Sequence, residues 1–302
     1  MEYIFVLNPA AGKNRAALSL IPAIQKICSK HKISPQIYIS QSGDDICEYV
    51  KNACAGKRRR VYAVGGDGTL SCVINGCGGN ENVRVGVIPM GTGNDFIRNF
   101  DINPKNFFDI EKQLSGRTVK CDCIKYNSGL CVNICNIGFD ANVAVDMPRF
   151  KHLPLVSNNM AYNMSIVYNV VKKLGRKMEI YADGQPFYKG EVLMCAVANG
   201  TACGGCFRVA PIARTDDGLI DLSVVTPPSR LKLGRFVRHF SAGSQLEDEQ
   251  MKKYVHYTKC KTVKIISPAP INLVNDGEDE KMTEAFFEIV PGSINFILPG
   301  KK

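Results

Sequence analysis

The chain has 302 residues, is 45% hydrophobic and carries a formal net charge of +10 at pH 7. That is ample for a substantial core in two domains, and no run approaches the about 18 uninterrupted apolar residues of a membrane-spanning helix. Thirteen cysteines, an odd number in a chain this long, do not make a disulfide scaffold, and the acid at position 2 stands where a secretory signal has basic residues. The expectation is a soluble protein of the reducing cytosol.

Tyr3-Ile4-Phe5-Val6-Leu7, ended by Asn8-Pro9, reads as a buried strand. Leu18, Ile21, Ile24 and Ile27 give residues 13–31 helical spacing. A strand over Gln36–Ser40, a helix over Asp44–Cys54, a strand over Val61–Val64, a helix starting over Leu70–Ile74 and a strand over Val83–Ile88 follow. This alternation predicts right-handed βαβ units and a doubly wound, mostly parallel sheet. Ligands of such sheets bind beyond the carboxyl ends of the strands. Three polar, glycine-bearing segments fall there: Asn8-Pro9-Ala10-Ala11-Gly12, Gly65-Gly66-Asp67-Gly68-Thr69, and Gly91-Thr92-Gly93-Asn94-Asp95. A glycine cluster costs backbone entropy and belongs where the chain turns sharply or lets a group approach its backbone. A strand ending in glycines before a helix start is suited to a phosphate, through outward amides and the helix dipole.

From about residue 118 the texture turns β-rich, with strands over Thr118–Tyr126, Gly129–Ile137, Lys177–Ala182, Gly190–Ala198 and Leu219–Val225 and a hairpin at Asp183-Gly184. One helical stretch, Asn159–Leu174, interrupts them, and Ser293–Leu298 is a strand free to return to either domain. The expected division is an α/β domain over 1–120, completed by 293–302, and an all-β, sandwich-like domain over 121–292. Arg230–Phe240 forms a basic amphipathic helix: Leu233, Phe236, Val237 and Phe240 share one face and Lys232, Arg235 and Arg238 the other. Such a helix either packs on its own domain or rests on an anionic membrane.

The positive charge fits nucleic acid, nucleotides or an anionic membrane surface, and charge alone does not choose among them. Lys57-Arg58-Arg59-Arg60 reads as a solvated edge. No nucleic-acid-binding module is recognisable. Cys203-Gly-Gly-Cys206 lacks the second pair or spaced histidines of a zinc site, so the cysteines read as small buried hydrophobes. Gly12-Lys13 is not a P-loop, and Gly91-Thr92-Gly93 lacks the third glycine of a dinucleotide fingerprint.

GGDGTL at 65–70, PMGTGNDFIR at 89–98 and NPAAG at 8–12, followed by Cys121-Asp122, Asn136–Asp140, Ala210-Pro211, Asp216-Asp217-Gly218 and Asn275-Asp276-Gly277-Glu278, together resemble the diacylglycerol kinase catalytic family in its soluble bacterial lipid-kinase branch. The resemblance spans essentially the whole chain. It implies an NAD-kinase-like α/β domain, a C-terminal β-sandwich, ATP between them, and a last segment crossing back to the first domain. Asn8, Pro9, Ala10, Ala11, Gly12, Ser40, Gly65, Gly66, Asp67, Gly68, Thr69, Leu70, Ser71 and Thr92 match nucleotide-contacting positions, in a loop completed by Gly91, Gly93, Asn94 and Asp95. Ser40 stands where the family often has Thr. Asp217 matches a structural magnesium ligand, helped by main-chain carbonyls near Arg214 and Leu219, with Asp122 in the same acidic network. Asp276 or Glu278 matches the base. The implied partners are a lipid substrate and the inner face of an anionic membrane, and a homodimer is common among relatives.

Phosphoryl transfer to an alcohol needs the triphosphate held in line, its charge neutralised and a carboxylate for the hydroxyl proton, which the glycine loops, Mg²⁺ near Asp67 or Asp95, and Asp276 would meet. Kinases of a soluble alcohol such as NAD carry similar loops, and a non-catalytic nucleotide-binding regulator is the alternative of another class.

Overall fold

The computed structural model describes residues 1–12, 16–126, 129–152, 160–161, 164–165, 168–169, 174–204, 207–275 and 278–300. The chain forms two compact units. The first comprises Met1–Cys123, Thr215–Gly218 and the segment from Val290; the second comprises Ile124–Arg214 and Leu219–Ile289.

In the first unit, β1 (Glu2–Leu7), β2 (Pro35–Ile39), β3 (Arg59–Gly65) and β4 (Val83–Pro89) are parallel, in the order β2-β1-β3-β4. The end of the last strand, β14 (Glu278–Leu298), extends this sheet parallel to β4 through Asn295↔Arg84 and Phe296↔Val85. Phe5, Leu7, Tyr62, Val64 and Ile88 pack with Ile24 and Cys28 of α1 (Ile21–Lys30), Ile110 of α4 (Ile110–Leu114) and Ile297. The alternate positions Ile4, Val6, Val61 and Ala63 are also fully buried. Burial on both faces is why these strands read as unbroken apolar runs.

Helix α2 (Gly43–Cys54) is capped by Ser42, whose Oγ accepts from Asp45 N at 3.1 Å, and packs against α3 (Asp67–Cys77). Two helical starts differ from expectation. α1 begins only at Ile21, after a 3₁₀ turn at Leu18–Leu20, with Pro22 in its first turn. Proline has no N–H to donate and fits a helix only there. α3 begins at Asp67, three residues before Leu70, so most of the glycine-rich segment is the helix's first turn rather than a loop. Nor is the basic run a solvated edge throughout. Arg59 is 5% exposed and pairs with Glu2 at 2.5 Å, and Arg60 donates to Leu114 O at 2.6 Å.

The second unit is antiparallel. Its strands run β12 (Val255–Cys260), β11 (Ile220–Val225), β10 (Met194–Ala198), β7 (Ile134–Gly138), β13 (Thr262–Asn275) and the first half of β14. β13 changes partner midway: Val263–Ile266 pairs with β8 (Arg176–Ala182), whereas Leu273–Asn275 pairs with β7. The register shift between Ile266 and Ile271 holds Pro268 and Pro270, which cannot donate to a ladder. β8 turns into β9 (Gln185–Val192) at Asp183-Gly184, where φ is 49° and 76°, as the expected two-residue hairpin requires.

The expected strand over Thr118–Tyr126 is β5 (Arg117–Tyr126), and the one expected over Gly129–Ile137 is interrupted into β6 (Gly129–Cys131) and β7. Asn133 leaves the ladder, its carbonyl accepting from Asn199 N and Gly200 N at 2.8 and 3.0 Å. A helix that the sequence pattern did not predict, α5 (Phe139–Asp146), follows Gly138, with α6 (Pro148–Lys151) after it. Of the helix expected over Asn159–Leu174, residues 160–161, 164–165 and 168–169 are helical, Leu174 is not, and the rest lies outside the described residues. The amphipathic helix α7 (Leu233–Ala242) packs on its own unit through Phe236 and Phe240, 5% and 3% exposed. Val237 and Leu231 stay 45% and 99% exposed. No helix among the described residues is long and apolar enough to cross a membrane. The described cysteines are free thiols, most of them buried; Cys206 lies outside the described residues.

Candidate active site

The strand order β2-β1-β3-β4 sends the connections after β1 and β3 in opposite directions, which opens a crevice at their carboxyl ends. Asn8, first after β1, bridges it. Its N–H donates to Val64 O at 3.1 Å, and its Nδ2 donates to Thr69 Oγ1 at 3.0 Å on α3. Its Oδ1 accepts from Ala10 N at 2.9 Å, which folds 8–12 into a turn, and Gly12 follows at φ 80°. Ser40, just after β2, is buried and tied to the end of β1, donating through N and Oγ to Leu7 O at 2.9 and 3.2 Å.

Two glycine segments stand back to back. Met90 N donates to Gly65 O at 2.7 Å, and a Cβ on Gly91 would lie 2.5 Å from Gly66 Cα. A Cβ on Gly65 would lie 2.2 Å from Thr69 Oγ1. Only residues without side chains permit this approach. Asn94, at φ 50°, closes the second segment by accepting from Gly91 N at 3.1 Å and donating to Gly91 O at 2.8 Å.

Helix α3 has no side-chain cap, and its first intrahelical bond is Leu70 N to Gly66 O. The N–H groups of Asp67, Gly68 and Thr69 therefore have no acceptor within the helix, and with the dipole they make an anion site. Asp67 turns aside, its Oδ1 accepting from Phe96 N at 3.2 Å. Its Oδ2 and that of Asp95 converge on Gly93: a Cβ there would meet them at 3.2 and 3.0 Å. Arg98 flanks the pair, donating to Gly93 O at 3.2 Å and standing 3.7 Å from Asp95.

Asp122 and Thr215–Gly218 also belong to the first unit. Asp122, 3% exposed, accepts from Gly218 N at 2.8 Å through Oδ2 and from Gly292 N at 2.7 Å through Oδ1, while its own N–H donates to Thr215 O at 2.7 Å. It staples two distant segments beside Asp217. Burial pushes the neighbouring Cys121 thiol up to about 12, so it stays protonated and is no thiolate ligand at neutral pH. Arg214 and Leu219 flank the staple but belong to the second unit.

Asp122→Ala leaves two amides without their acceptor and is expected to cost about 3 kcal/mol of stability, whereas Asp122→Asn, keeping one carbonyl oxygen, should cost less. Denaturant midpoints of the two variants measure this, and an Ala variant as stable as the parent would refute the staple.

Among the described residues no cluster of three or more His, Cys, Asp or Glu side chains could hold a metal ion. Magnesium needs less: one or two carboxylates, with phosphate oxygens and water completing the shell. The Asp67–Asp95 pair, whose Oδ2 atoms converge on Gly93, fits that donor set.

Asp276 lies outside the described residues. Glu278 opens β14 opposite Asn275, the last residue of β13. Asn275 is buried and donates to Tyr126 OH at 2.8 Å; burial also pushes the Tyr126 hydroxyl well up, keeping it protonated.

Residues 2–126 match the diacylglycerol kinase catalytic domain, and residues 133–298 match the YegS C-terminal NAD kinase beta sandwich-like domain. A diacylglycerol kinase of Staphylococcus carnosus (strain TM300) is 28% identical over 274 residues, covering 90% of this chain and 87% of the relative. One from Bacillus subtilis (strain 168) is 25% identical over 299 residues, covering 98% and 96%. A crystal structure of a diacylglycerol kinase from Bacillus anthracis str. Sterne superposes with a TM-score of 0.71 at 18% identity, over 98% of this chain and 96% of that one. An NAD kinase from Archaeoglobus fulgidus in complex with ATP gives 0.51 at 12% identity, over 100% and 95%. At such identities the two structures speak for the fold, an α/β domain joined to a β-rich one. The chain belongs to the kinase family that couples a diacylglycerol kinase catalytic domain to a YegS-type β-sandwich domain.

Proposed function

We propose that the protein is an ATP- and Mg²⁺-dependent lipid kinase that phosphorylates a hydroxyl of a membrane lipid, diacylglycerol first among the acceptors. The observation that carries this is the uncapped start of α3 at the crevice between β1 and β3, with Asn8, the Gly65–Thr69 turn and the Gly91–Asp95 segment drawn together there.

On this reading the amides of Asp67, Gly68 and Thr69 hold nucleotide phosphate oxygens, while Asn8 and Ser40 shape the crevice around them. Asp217 beside the Asp122 staple would hold a structural magnesium, and Asp67 or Asp95 would hold the magnesium at the phosphates. When bound, the ion neutralises phosphate charge. Asp276 or Glu278 accepts the proton of the acceptor hydroxyl. The bilayer is met from the cytoplasmic side by exposed Leu231 and Val237 beside Arg230, Lys232 and Arg238, each cation near anionic lipid contributing about 1 kcal/mol.

The test is purified protein with labelled ATP, Mg²⁺ and vesicles holding a panel of lipids. Label should enter phosphatidic acid and vanish on chelation of magnesium. Protein that binds ATP yet labels no lipid would end this reading. Label transferred to NAD in the same assay would favour the soluble-alcohol alternative.

A further inference from the structure

The second unit contains a cavity of about 420 Å³ that the reading above leaves unused. Its wall is polar. Arg149 of α6, Arg176 at the start of β8 and Lys281 of β14 line it, as do Asn142 of α5, Asn169 and Asn272 of β13. Asp146 is its one acid among the described lining residues, so three cations face one carboxylate.

That carboxylate is committed. Asp146, 8% exposed, takes a hydrogen bond from Asn169 Nδ2 at 3.1 Å and pairs with Arg149 at 3.4 Å. Arg176 and Lys281 have no ion-pair partner among the described residues. Asn272 Nδ2 donates to Asn142 Oδ1 at 2.8 Å, which leaves the Asn142 amide N–H₂ to donate elsewhere. Lys281 is the cross-strand partner of Asn272, so register places the cation beside the amide pair. Phe139, Val145 and Leu193 supply the apolar part of the wall.

Two unneutralised cations and a free amide donor over a cavity of this size select an anion with several acceptor oxygens. An Arg fork with a Lys point charge is the usual pairing for phosphate. We propose that this cavity binds a phosphate-bearing ligand: the phosphate rests on Arg176 and Lys281 with Asn142 donating, and the rest of the molecule lies against Phe139 and Leu193. The phosphate can come from the headgroup of an anionic lipid or from a soluble phosphate compound. The binding does not depend on the kinase reading.

The test is calorimetric titration of the full chain without ATP. The probes are inorganic phosphate, dihexanoyl phosphatidylglycerol below its micelle concentration, and dioctanoylglycerol as the phosphate-free control. Parent protein should bind phosphate and the phospholipid at one site. Arg176→Gln/Lys281→Gln should weaken both at least about tenfold, with weaker binding at higher salt. Lys26→Gln/Lys105→Gln, which removes the same charge from exposed positions of the first unit, should leave both within about twofold, and unfolding midpoints check that each variant is folded. Phospholipid bound more than tenfold tighter than phosphate makes the ligand a lipid headgroup; equal or weaker binding makes it a soluble phosphate. Failure of the parent to bind either probe, or equal binding by the Arg176/Lys281 variant, would overturn the site while leaving the kinase reading standing.

Discussion

Gly91→Ala is expected to lower lipid phosphorylation at least about 100-fold and to destabilise the first unit by about 3 kcal/mol, at the upper end of the cost of overpacking. The added methyl would lie 2.5 Å from Gly66 Cα and 2.9 Å from Asn94 Oδ1. Gly66 is backbone at the N-cap of α3, so no side-chain rotation relieves the contact. Either α3 retreats or the 91–95 segment does, and both carry the groups proposed to face the phosphates. Gly65→Ala meets a softer neighbour, the Thr69 side chain, and should mainly cost the Asn8–Thr69 hydrogen bond. Gly234 in α7 has open space where its Cβ would go, so Gly234→Ala serves as a control of opposite sign, gaining about 0.5–1 kcal/mol of helix propensity. Transfer of label from ATP to lipid vesicles and denaturant midpoints read the two quantities, and binding of a fluorescent ATP analogue reads the crevice itself. A Gly91→Ala protein that binds the analogue like the parent would remove the phosphates from this crevice.

The parallel strands were legible because both their faces are buried, which makes each a short apolar run whatever lies around it. The crevice was legible for a related reason: glycines cluster only where backbone must meet backbone. The start of α3 was not. Gly-Asp-Gly-Thr is poor in helix propensity, and packing of Leu70, Val73 and Ile74, each at most 1% exposed, overrides it. The start of α1 could have been read from Pro22 alone.

Arg59 and Arg60 misled because a basic run gives no sign of which side chains turn inward; pairing with Glu2 and Gln36 decides it for Arg59, and the Leu114 carbonyl for Arg60. The Asp122 staple was beyond reach for a different reason. Its acceptors lie 96 and 170 residues from their donors, Gly218 and Gly292, and nothing local marks an aspartate as the anchor of two remote amides. The resemblance placed Asp122 in an acidic network near a metal. The structure adds that both its carboxylate oxygens already hold backbone N–H groups, which suits it to shaping the 215–218 segment that carries Asp217.

Asp276→Asn is expected to lower transfer about 10³-fold, within the range general-base removal produces, while ATP affinity stays within a few-fold. The reasoning starts from its neighbours. Asn275 is buried and fixed by Tyr126 at 2.8 Å, and it forms the last cross-strand pair of β13 and β14 with Glu278. Asp276 and Gly277 are the two residues between them in sequence, so Asp276 directly follows the fixed Asn275 and lies two positions before Glu278. Asn keeps the size and loses the ability to take a proton, so binding should survive where chemistry does not. Glu278→Gln decides which acid is the base. A deficit near tenfold leaves Asp276 in the role, and a deficit larger than that of Asp276→Asn transfers the role to Glu278. The pH profile gives an independent reading: activity of the parent should fall toward acid as the base protonates, and the variant lacking the base should lose that limb. Full activity in both variants would take proton transfer away from these two acids altogether.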